Sequence, residues 1–222
     1  MADTGDVRTL ARVTAEPVSR QARKLRTRQA LLDAALELLA DRGFASLSLR
    51  EVTKQAGIVP TAFYRHFASM EELGVALVEE SMRTLRRMIR AARSDPKRYT
   101  HIIRASVRTL HVHVRAHENH FRFLTRERYG GSGSVQRAIG IELKLFSSDL
   151  AVDLARFENL RDWTTEDLHM MADLIVTAMF STVMELVEAR PRDAETDALI
   201  VKTAEKRLRL VFLGVPNWRS GT

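Results

Sequence analysis

Apolar residues recur through most of this chain at the three- and four-residue spacing of helices that are buried along one side. Between Arg28 and Arg42 they occupy positions 31, 34, 35, 38 and 39, which share one face of an α-helix. Further helices are predicted at about 48–57, 60–67, 69–95, 100–117, 121–128, 135–157, 165–189 and 193–213. No alternation of period two persists, so the pattern predicts an all-α protein of about nine helices.

Short local motifs mark where several of these helices begin and end. Gly43 follows the first helix as a C′ glycine would, and Ser48 with Glu51 forms a capping box that starts the second. Gly57 provides a turn that a side chain would hinder, and Pro60 suits the first turn of a third helix. Two more capping pairs, at 69/72 and 164/167, begin later helices. The fourth helix is expected to connect the first three to a larger helical domain.

The stretch 47–67 has the form of a helix-turn-helix, with two short helices joined at a glycine. An exposed helix fits the major groove of DNA, where each base pair shows its own pattern of donors and acceptors. A set of apolar residues would bury its other side: Leu47, Leu49, Val52, Ala56, Ile58 and Phe63. The residues predicted to contact DNA are Arg26, Arg28, Ser48, Arg50, Pro60, Thr61, Ala62, Tyr64, Arg65 and His66.

The distribution of charge supports a nucleic-acid partner. The formal net charge is +7, and the run from Arg20 to Arg28 holds five basic residues and no acid. This run is expected either to be a solvated tail or, beside a helix-turn-helix, to form an arm along the phosphates. The predicted organisation is a disordered tail (1–20), a DNA-binding domain with a basic arm (21–68), and a helical ligand-binding and dimerisation domain (69–222).

Several classes of function receive no support from the sequence. There is no cysteine for a disulfide or thiolate zinc site, no apolar run approaching 18 residues, and no signal peptide, so we expect a cytoplasmic protein without a membrane span. His113 and His117 have a spacing that can chelate a metal, but with His111 and His120 they are expected to face solvent. No nucleophile motif or phosphate loop stands out. The prediction is therefore a protein that is not an enzyme and has no metal and no cofactor.

The DNA-binding pattern as a whole resembles the TetR family of one-component repressors. The residues that carry it are Ala34, Ala35, Leu38, Gly43, Phe44, Leu49, Val52, Ala56, Gly57, Phe63, Tyr64, Phe67 and Leu73. Thr53 departs from the family's usual alanine, and Met70 from a lysine that often contacts phosphate. The resemblance implies a variable C-terminal domain that binds a small hydrophobic effector and forms a homodimer through its last two helices.

The segment FRFLTRERYGGSGSVQRAI resembles a narrower group of TetR repressors, which control unsaturated fatty acid synthesis and desaturase genes and sense long-chain acyl-CoA. The matching residues are Phe121, Arg122, Leu124, Arg126, Glu127, Arg128, Gly130 and Ser132. The ligand-binding residues expected on this basis are Met88, Ile103, Val107, Leu110, Arg122, Phe123, Arg126, Arg128, Phe146, Met179 and Phe180. The three arginines would hold the coenzyme A head group, or would instead form ion pairs with Glu118 and Glu127.

The sequence therefore predicts a repressor that binds a palindromic operator on double-stranded DNA as a homodimer, with one or two dimers on each operator. The effector would be a long-chain acyl-CoA, and would shift the separation of the two recognition helices through the fourth helix. One alternative is a TetR-type repressor of an efflux gene that senses a drug-like hydrophobic molecule. The other is a helical enzyme or metal-binding protein with a vestigial helix-turn-helix.

Overall fold

The computed structural model describes residues 19–93, 99–131 and 133–221, and in these ranges the chain forms nine α-helices and no β-strand. The helices are α1 (Arg20–Leu38), α2 (Leu49–Gln55), α3 (Pro60–Phe63), α4 (Met70–Arg93), α5 (Tyr99–Ala116), α6 (Glu118–Gly130), α7 (Gly133–Leu154), α8 (Thr165–Glu188) and α9 (Ala194–Gly214). The predicted all-α class is confirmed. Disorder was expected for residues 1–20; of these, 1–18 lie outside the described residues, whereas Ser19 and Arg20 belong to the start of α1. The expected stop before Pro96 and the match at Ser132 also lie outside the described residues.

The first helix is longer at its start and shorter at its end than the sequence pattern predicts. It begins at Arg20, where the Ser19 hydroxyl accepts a hydrogen bond from the amide of Ala22 (3.1 Å), so the basic run forms its first turns. Arg, Lys, Gln and Leu favour helix even where no core covers them. The assignment of Gly43 to a left-handed helix end is wrong, because α1 ends at Leu38 and Gly43 has a φ of −79°.

The local motifs around α2 and α3 are confirmed. Ser48 and Glu51 exchange both hydrogen bonds of the capping box, and Pro60 occupies the first turn of α3. Gly57 has a φ of +67°, in the left-handed region that a side chain disfavours. The regular part of α3 ends at Phe63, and the chain continues as tight turns to Phe67.

One hydrophobic cluster joins the DNA-binding helices to the larger domain. Leu31, Val52, Phe63 and Phe67 are almost completely buried in it, together with residues of α4, α6, α7 and α8. A second cluster lies among α5, α7, α8 and α9, around residues such as Leu168. The first three helices are therefore packed on the larger domain through shared apolar surface.

In the larger domain, α7 packs against α4, α6 and α8, and α9 packs against α5 and α8. Within the described part of the chain, α8 is the one helix whose length and apolar composition would suffice to cross a membrane, a test that core helices also pass. Met170 and Leu174 leave part of its apolar side exposed, at 41% and 55%.

Candidate DNA-reading surface and effector cavity

The helix-turn-helix presents a polar surface because its apolar residues are held from behind. Phe63 is fully buried, and the next residue, Tyr64, is 63% exposed with its ring edge-on to Phe63 at 5.6 Å. Five other residues predicted to contact DNA are also exposed: Ser48, Arg50, Pro60, Thr61 and Arg65. Ala62 and His66 are half-buried. A helix that enters the major groove needs one exposed polar side, while its apolar side is buried and holds it in place. The arrangement here has both features.

The start of α2 already holds an internal negative charge. The Ser48 hydroxyl donates to Glu51 Oε2 (2.7 Å), and Arg42 Nη1 lies 2.9 Å from Glu51 Oε1. The Ser48 side chain and then Arg42 lower the pKa of Glu51 to about 2. The hydroxyl and the N-terminal amide of this helix are therefore engaged within the cap, so a DNA phosphate near Ser48 would have to share these donors with Glu51.

Two residues of the predicted DNA contact set have intramolecular roles. Arg28 donates to the carbonyl oxygen of His66 (2.9 Å), and its guanidinium lies 4.2 Å above the centre of the Phe67 ring. Burial, followed by the charges of Lys24, Arg28 and Arg65, lowers the pKa of His66 below its ordinary value. The lowered pKa favours the neutral imidazole at pH 7, and the buried Nδ1 has no hydrogen-bond partner among the described residues. Arg26, by contrast, is exposed on α1.

The larger domain encloses a cavity of about 110 Å³ between its helices. Five residues predicted to bind ligand line it: Ile103, Leu110, Phe146, Met179 and Phe180. The walls are otherwise apolar, apart from Ser106 on α5 and Asp153 on α7. Leu124, which the sequence pattern had already indicated as a candidate for an apolar tunnel, does line the cavity, whereas the expected ligand-binding residues did not include the two polar residues or Phe121 of α6. Only their positions on partly apolar helix faces could have indicated them.

Three apolar residues predicted to line the pocket do not reach the cavity. Met88 is 39% exposed, because it lies on the outer side of α4. Val107 is buried in the cluster among α5, α8 and α9. Phe123 packs on Phe44, with ring centres 6.2 Å apart, and so contributes to the junction between the two domains. The apolar pattern identified all three as interior or interfacial positions without showing which neighbours they face.

The arginines expected at the pocket mouth also have other partners. Arg122 Nε donates to Glu118 Oε1 (2.9 Å), which is the alternative ion pair, and Arg126 Nη1 donates to the carbonyl oxygen of Leu39 (3.1 Å). A Cβ at Gly140 of α7 would lie 3.7 Å from Arg128 Nη1. None of the three lines the cavity. A basic cluster for coenzyme A phosphates is therefore not assembled there by these residues.

Instead, one side of α6 holds the end of α1 and the turn that follows it. Arg126 Nη1 also donates to the carbonyl oxygen of Arg42 (2.6 Å), and Glu127 Oε1 accepts a hydrogen bond from the amide of Phe44 (2.8 Å). Glu127 is 3% exposed, so this bond is made away from water. The other side of α6 contributes Phe121 and Leu124 to the cavity wall. The helix thus contacts both the cavity and the DNA-binding domain.

Comparison with known proteins agrees with this arrangement. Residues 31–77 match the family model described as bacterial regulatory proteins of the tetR family, and residues 99–212 match the tetracyclin repressor-like C-terminal domain. The chain belongs to the TetR family. It is a transcription regulator with a ligand-binding domain, and the family is one of regulatory proteins rather than enzymes.

Solved structures with a similar fold include several regulators. The fatty acid degradation regulator FadR from Bacillus halodurans shares 18% identity, with a TM-score of 0.69 over 82% of this chain and 94% of that one. FadR from Bacillus subtilis, solved with stearoyl-CoA, shares 18% identity, with a TM-score of 0.66 over 82% and 96%. AibR, solved with isovaleryl coenzyme A and operator DNA, shares 18% identity, with a TM-score of 0.62 over 82% and 97%. At this identity the likeness shows the fold.

The two departures from the TetR pattern are accommodated by packing. Thr53 is buried, and its hydroxyl donates to the carbonyl oxygen of Leu49 (2.9 Å), so it leaves no unpaired group. Met70 is the first residue of α4 and packs against the shared hydrophobic cluster. Position 70 therefore carries no positive charge in place of the family's lysine.

All four histidines of α5 and α6 were expected to face solvent, but the structure buries some of them. His113 is 4% exposed, and its ring contacts the tilted ring of His117, with ring centres 4.5 Å apart. His120 Nδ1 lies 2.6 Å from the Ser81 hydroxyl, and burial, followed by the neighbouring histidines, lowers the pKa of His120 to about 4. In the described ranges no three potential ligands converge on a point that could hold a metal ion.

Proposed function

We propose that this TetR-family protein is a ligand-responsive transcriptional repressor that binds a palindromic operator as a homodimer and responds to long-chain acyl-CoA. One observation carries the proposal: α6 contacts an apolar cavity on one side and the DNA-binding helices on the other. A ligand that moves Phe121 or Leu124 thereby acts on the end of α1. A ligand can shift such an equilibrium only through different affinities for the two states.

Exposed apolar side chains on the last two helices support a dimer. On α8 they are Met170 and Leu174, and on α9 they are Leu199, Leu210 and Leu213, each at least 41% exposed. Large apolar side chains grouped on neighbouring helices commonly mark a surface that a partner covers. A two-fold dimer would place two recognition helices in successive major grooves, about 34 Å apart, which explains why the operator would be palindromic.

The apolar cavity wall supports a hydrophobic effector. A cavity of about 150 Å³ is enough for benzene, so the cavity of about 110 Å³ in this protein must widen to accept a long acyl chain. That requirement gives the effector a means of moving α6. The acyl-CoA assignment and the control of fatty acid desaturation genes are further supported by the resemblance of the segment from Phe121 to Ser132. In the structure, however, Arg126 and Glu127 of that segment bind the DNA-binding domain, Arg122 pairs with Glu118 within α6, and none of the three arginines lines the cavity.

A second candidate effector is a drug-like hydrophobic molecule, because the described residues that line the cavity are apolar apart from Ser106 and Asp153. This would correspond to the drug-sensing, efflux-controlling type of TetR regulator. In either case the protein acts on operator DNA, which is consistent with the expected cytoplasmic location.

The test is binding of the purified protein to its own promoter DNA, titrated in parallel with oleoyl-CoA, palmitoyl-CoA and tetraphenylphosphonium. We expect salt-dependent binding to the duplex that both thioesters change, and to different extents. If DNA binds but only the cation has an effect, the second candidate replaces the first. If the protein shows no salt-dependent affinity for its promoter, the proposal of an operator-binding repressor is wrong.

A further inference from the structure

The first turns of α1 carry a line of positive charge on the face that becomes buried further along the helix. Arg20, Lys24 and Arg28 follow one another at intervals of four residues, and the same face continues into the core through Leu31 and Ala35, which are fully buried. Arg20 and Lys24 are exposed. At 1.5 Å per residue, the line is about 12 Å long. The helix has no acidic residue before position 33, so its own sequence does not neutralise this charge.

Arg28 holds this face of α1 beside the reading segment (60–67). Its Nη1 donates to the carbonyl oxygen of His66 (2.9 Å), and its guanidinium lies 4.2 Å from the centre of the Phe67 ring. A guanidinium that contacts a carbonyl oxygen and an aromatic face at once is fixed in orientation. Burial is the largest cause of the lowered pKa of His66, and the charge of Lys24 is the next. Lys24 therefore lies on the side of α1 that adjoins the reading segment.

Arg26 lies on a different side of the same helix. It is two residues from Lys24 and therefore about 200° around the helix axis from it. Arg26 lines a groove between α1 and α4, which Arg28 also borders, together with three charged residues of α4: Glu79, Glu80 and Arg83. The helix thus divides the basic run of the sequence into a face beside the reading segment and a face beside α4.

We propose that Arg20 and Lys24 bind DNA phosphates as a rigid extension of the reading surface, and that Arg26 does not belong to this contact. The proposal rests on the proposed binding of operator DNA and specifies one part of that interface. Basic side chains on phosphates add affinity without reading the base sequence, so the gain applies to any duplex. Because Arg28 fixes the line to the reading segment, no flexible arm has to become ordered when DNA binds.

The experiment measures the affinity of the full-length protein for its promoter duplex and for an unrelated duplex of equal length, between about 50 and 200 mM salt. Lys24→Gln removes the charge and keeps a long side chain that favours helix. We expect it to reduce the slope of log affinity against log salt concentration by about 1 for each bound protomer, equally on both duplexes. Arg20→Gln combined with Lys24→Gln should reduce the slope by about 2 for each protomer.

Three matched variants show whether charge and position are responsible. Lys24→Arg keeps the positive charge and should retain the wild-type slope. Lys144→Gln removes an exposed lysine from α7, in the larger domain, and should change neither affinity nor slope. Arg26→Gln should reduce the slope by less than half as much as Lys24→Gln. All the replaced side chains are exposed, so thermal unfolding should be the same for every variant.

The outcomes separate this proposal from the proposed function. If Lys24→Gln keeps the wild-type slope on a promoter that the protein binds, the phosphate contact is wrong and the repressor stands. If Arg26→Gln lowers the slope as much as Lys24→Gln, the face of the helix does not matter and the proposal is wrong. An effect of Lys24→Gln on the promoter alone would indicate base reading and overturn the phosphate contact. Equal effects on both duplexes, without preference for the promoter or response to acyl-CoA, would support the phosphate contact and contradict the proposed function.

Discussion

The contact between Glu127 and the backbone of Phe44 gives a sharp test of how the two domains are joined. Glu127 Oε1 accepts the Phe44 amide at 2.8 Å, and both residues are less than 10% exposed. Replacing Glu127 with alanine leaves a buried amide without an acceptor. Hydrogen bonds to charged groups contribute about 1.5–3 kcal/mol, and a buried donor left unpaired costs about 1–3 kcal/mol. We therefore expect Glu127→Ala to lower the free energy of unfolding by about 2–3 kcal/mol.

Glu127→Gln keeps an oxygen that can accept the amide and should cost about 1 kcal/mol. The measurement is urea unfolding of both variants, with the protein concentration held constant because a dimer's stability depends on it. A protein of this size loses about 2–4 °C in Tm for each kcal/mol, so Glu127→Ala should melt about 5–10 °C lower. Glu188→Ala, an exposed change at the end of α8, serves as the control and should be neutral.

Two results would refute the reasoning about this contact. One is a Glu127→Ala protein within about 0.5 kcal/mol of the wild type, the size of an ordinary surface substitution. The other is a glutamine variant as unstable as the alanine variant, because then the carboxylate charge rather than the hydrogen bond to Phe44 would be responsible. Neither result would affect the assignment of the protein to the TetR family.

Three further predictions follow from other parts of the molecule. Gly57→Ala should lower the free energy of unfolding in urea by about 1 kcal/mol, because Gly57 has a φ of +67°. The control Gly214→Ala should be neutral or stabilising, because the φ of Gly214 is −72° and nothing lies within 4 Å of an added Cβ. Arg65→Ala should weaken promoter binding and reduce the slope of log affinity against log salt concentration by about 1. The control Arg161→Ala, at another exposed arginine, should change neither quantity. An unchanged slope for Arg65→Ala would argue against a phosphate contact. The pKa of His120 falls from 6.5 to about 4 on folding, so the unfolded chain binds more protons between these values and stability should drop by at most about 3 kcal/mol as pH falls from 6.5 to 4. His120→Gln should remove that part of the pH dependence, and an identical pH profile for the variant would contradict the assignment.

Features that depend on residues close together in the chain were predicted correctly, whereas features that depend on distant residues were not. The capping box of Ser48 and Glu51, the left-handed turn at Gly57 and the position of Pro60 were predicted correctly, because each depends on residues a few positions apart. The prediction failed at Gly43. There the end of α1 is held by Arg126, more than 80 residues away, rather than by a glycine turn.

The cavity shows the same limit. Helical periodicity indicated that Val107 and Phe123 would be buried, and they are, but periodicity does not say which helix packs opposite a buried face. Val107 faces core and Phe123 faces the turn at Phe44, whereas Phe121, two positions earlier than Phe123, reaches the cavity. A shift of one or two positions on a helix rotates a side chain to another neighbour.

The sequence by itself determined the helical class, the helix-turn-helix and the family, because these depend on local spacing and on motifs that span a few residues. Only the tertiary structure decided that α6 joins the cavity to the DNA-binding helices, that Arg126 binds carbonyl oxygens at the end of α1, and that Ser106 lines the cavity. These facts depend on which helices meet in space. Residues far apart in the chain are brought together by the burial of whole apolar faces, and one linear pattern is compatible with several such pairings.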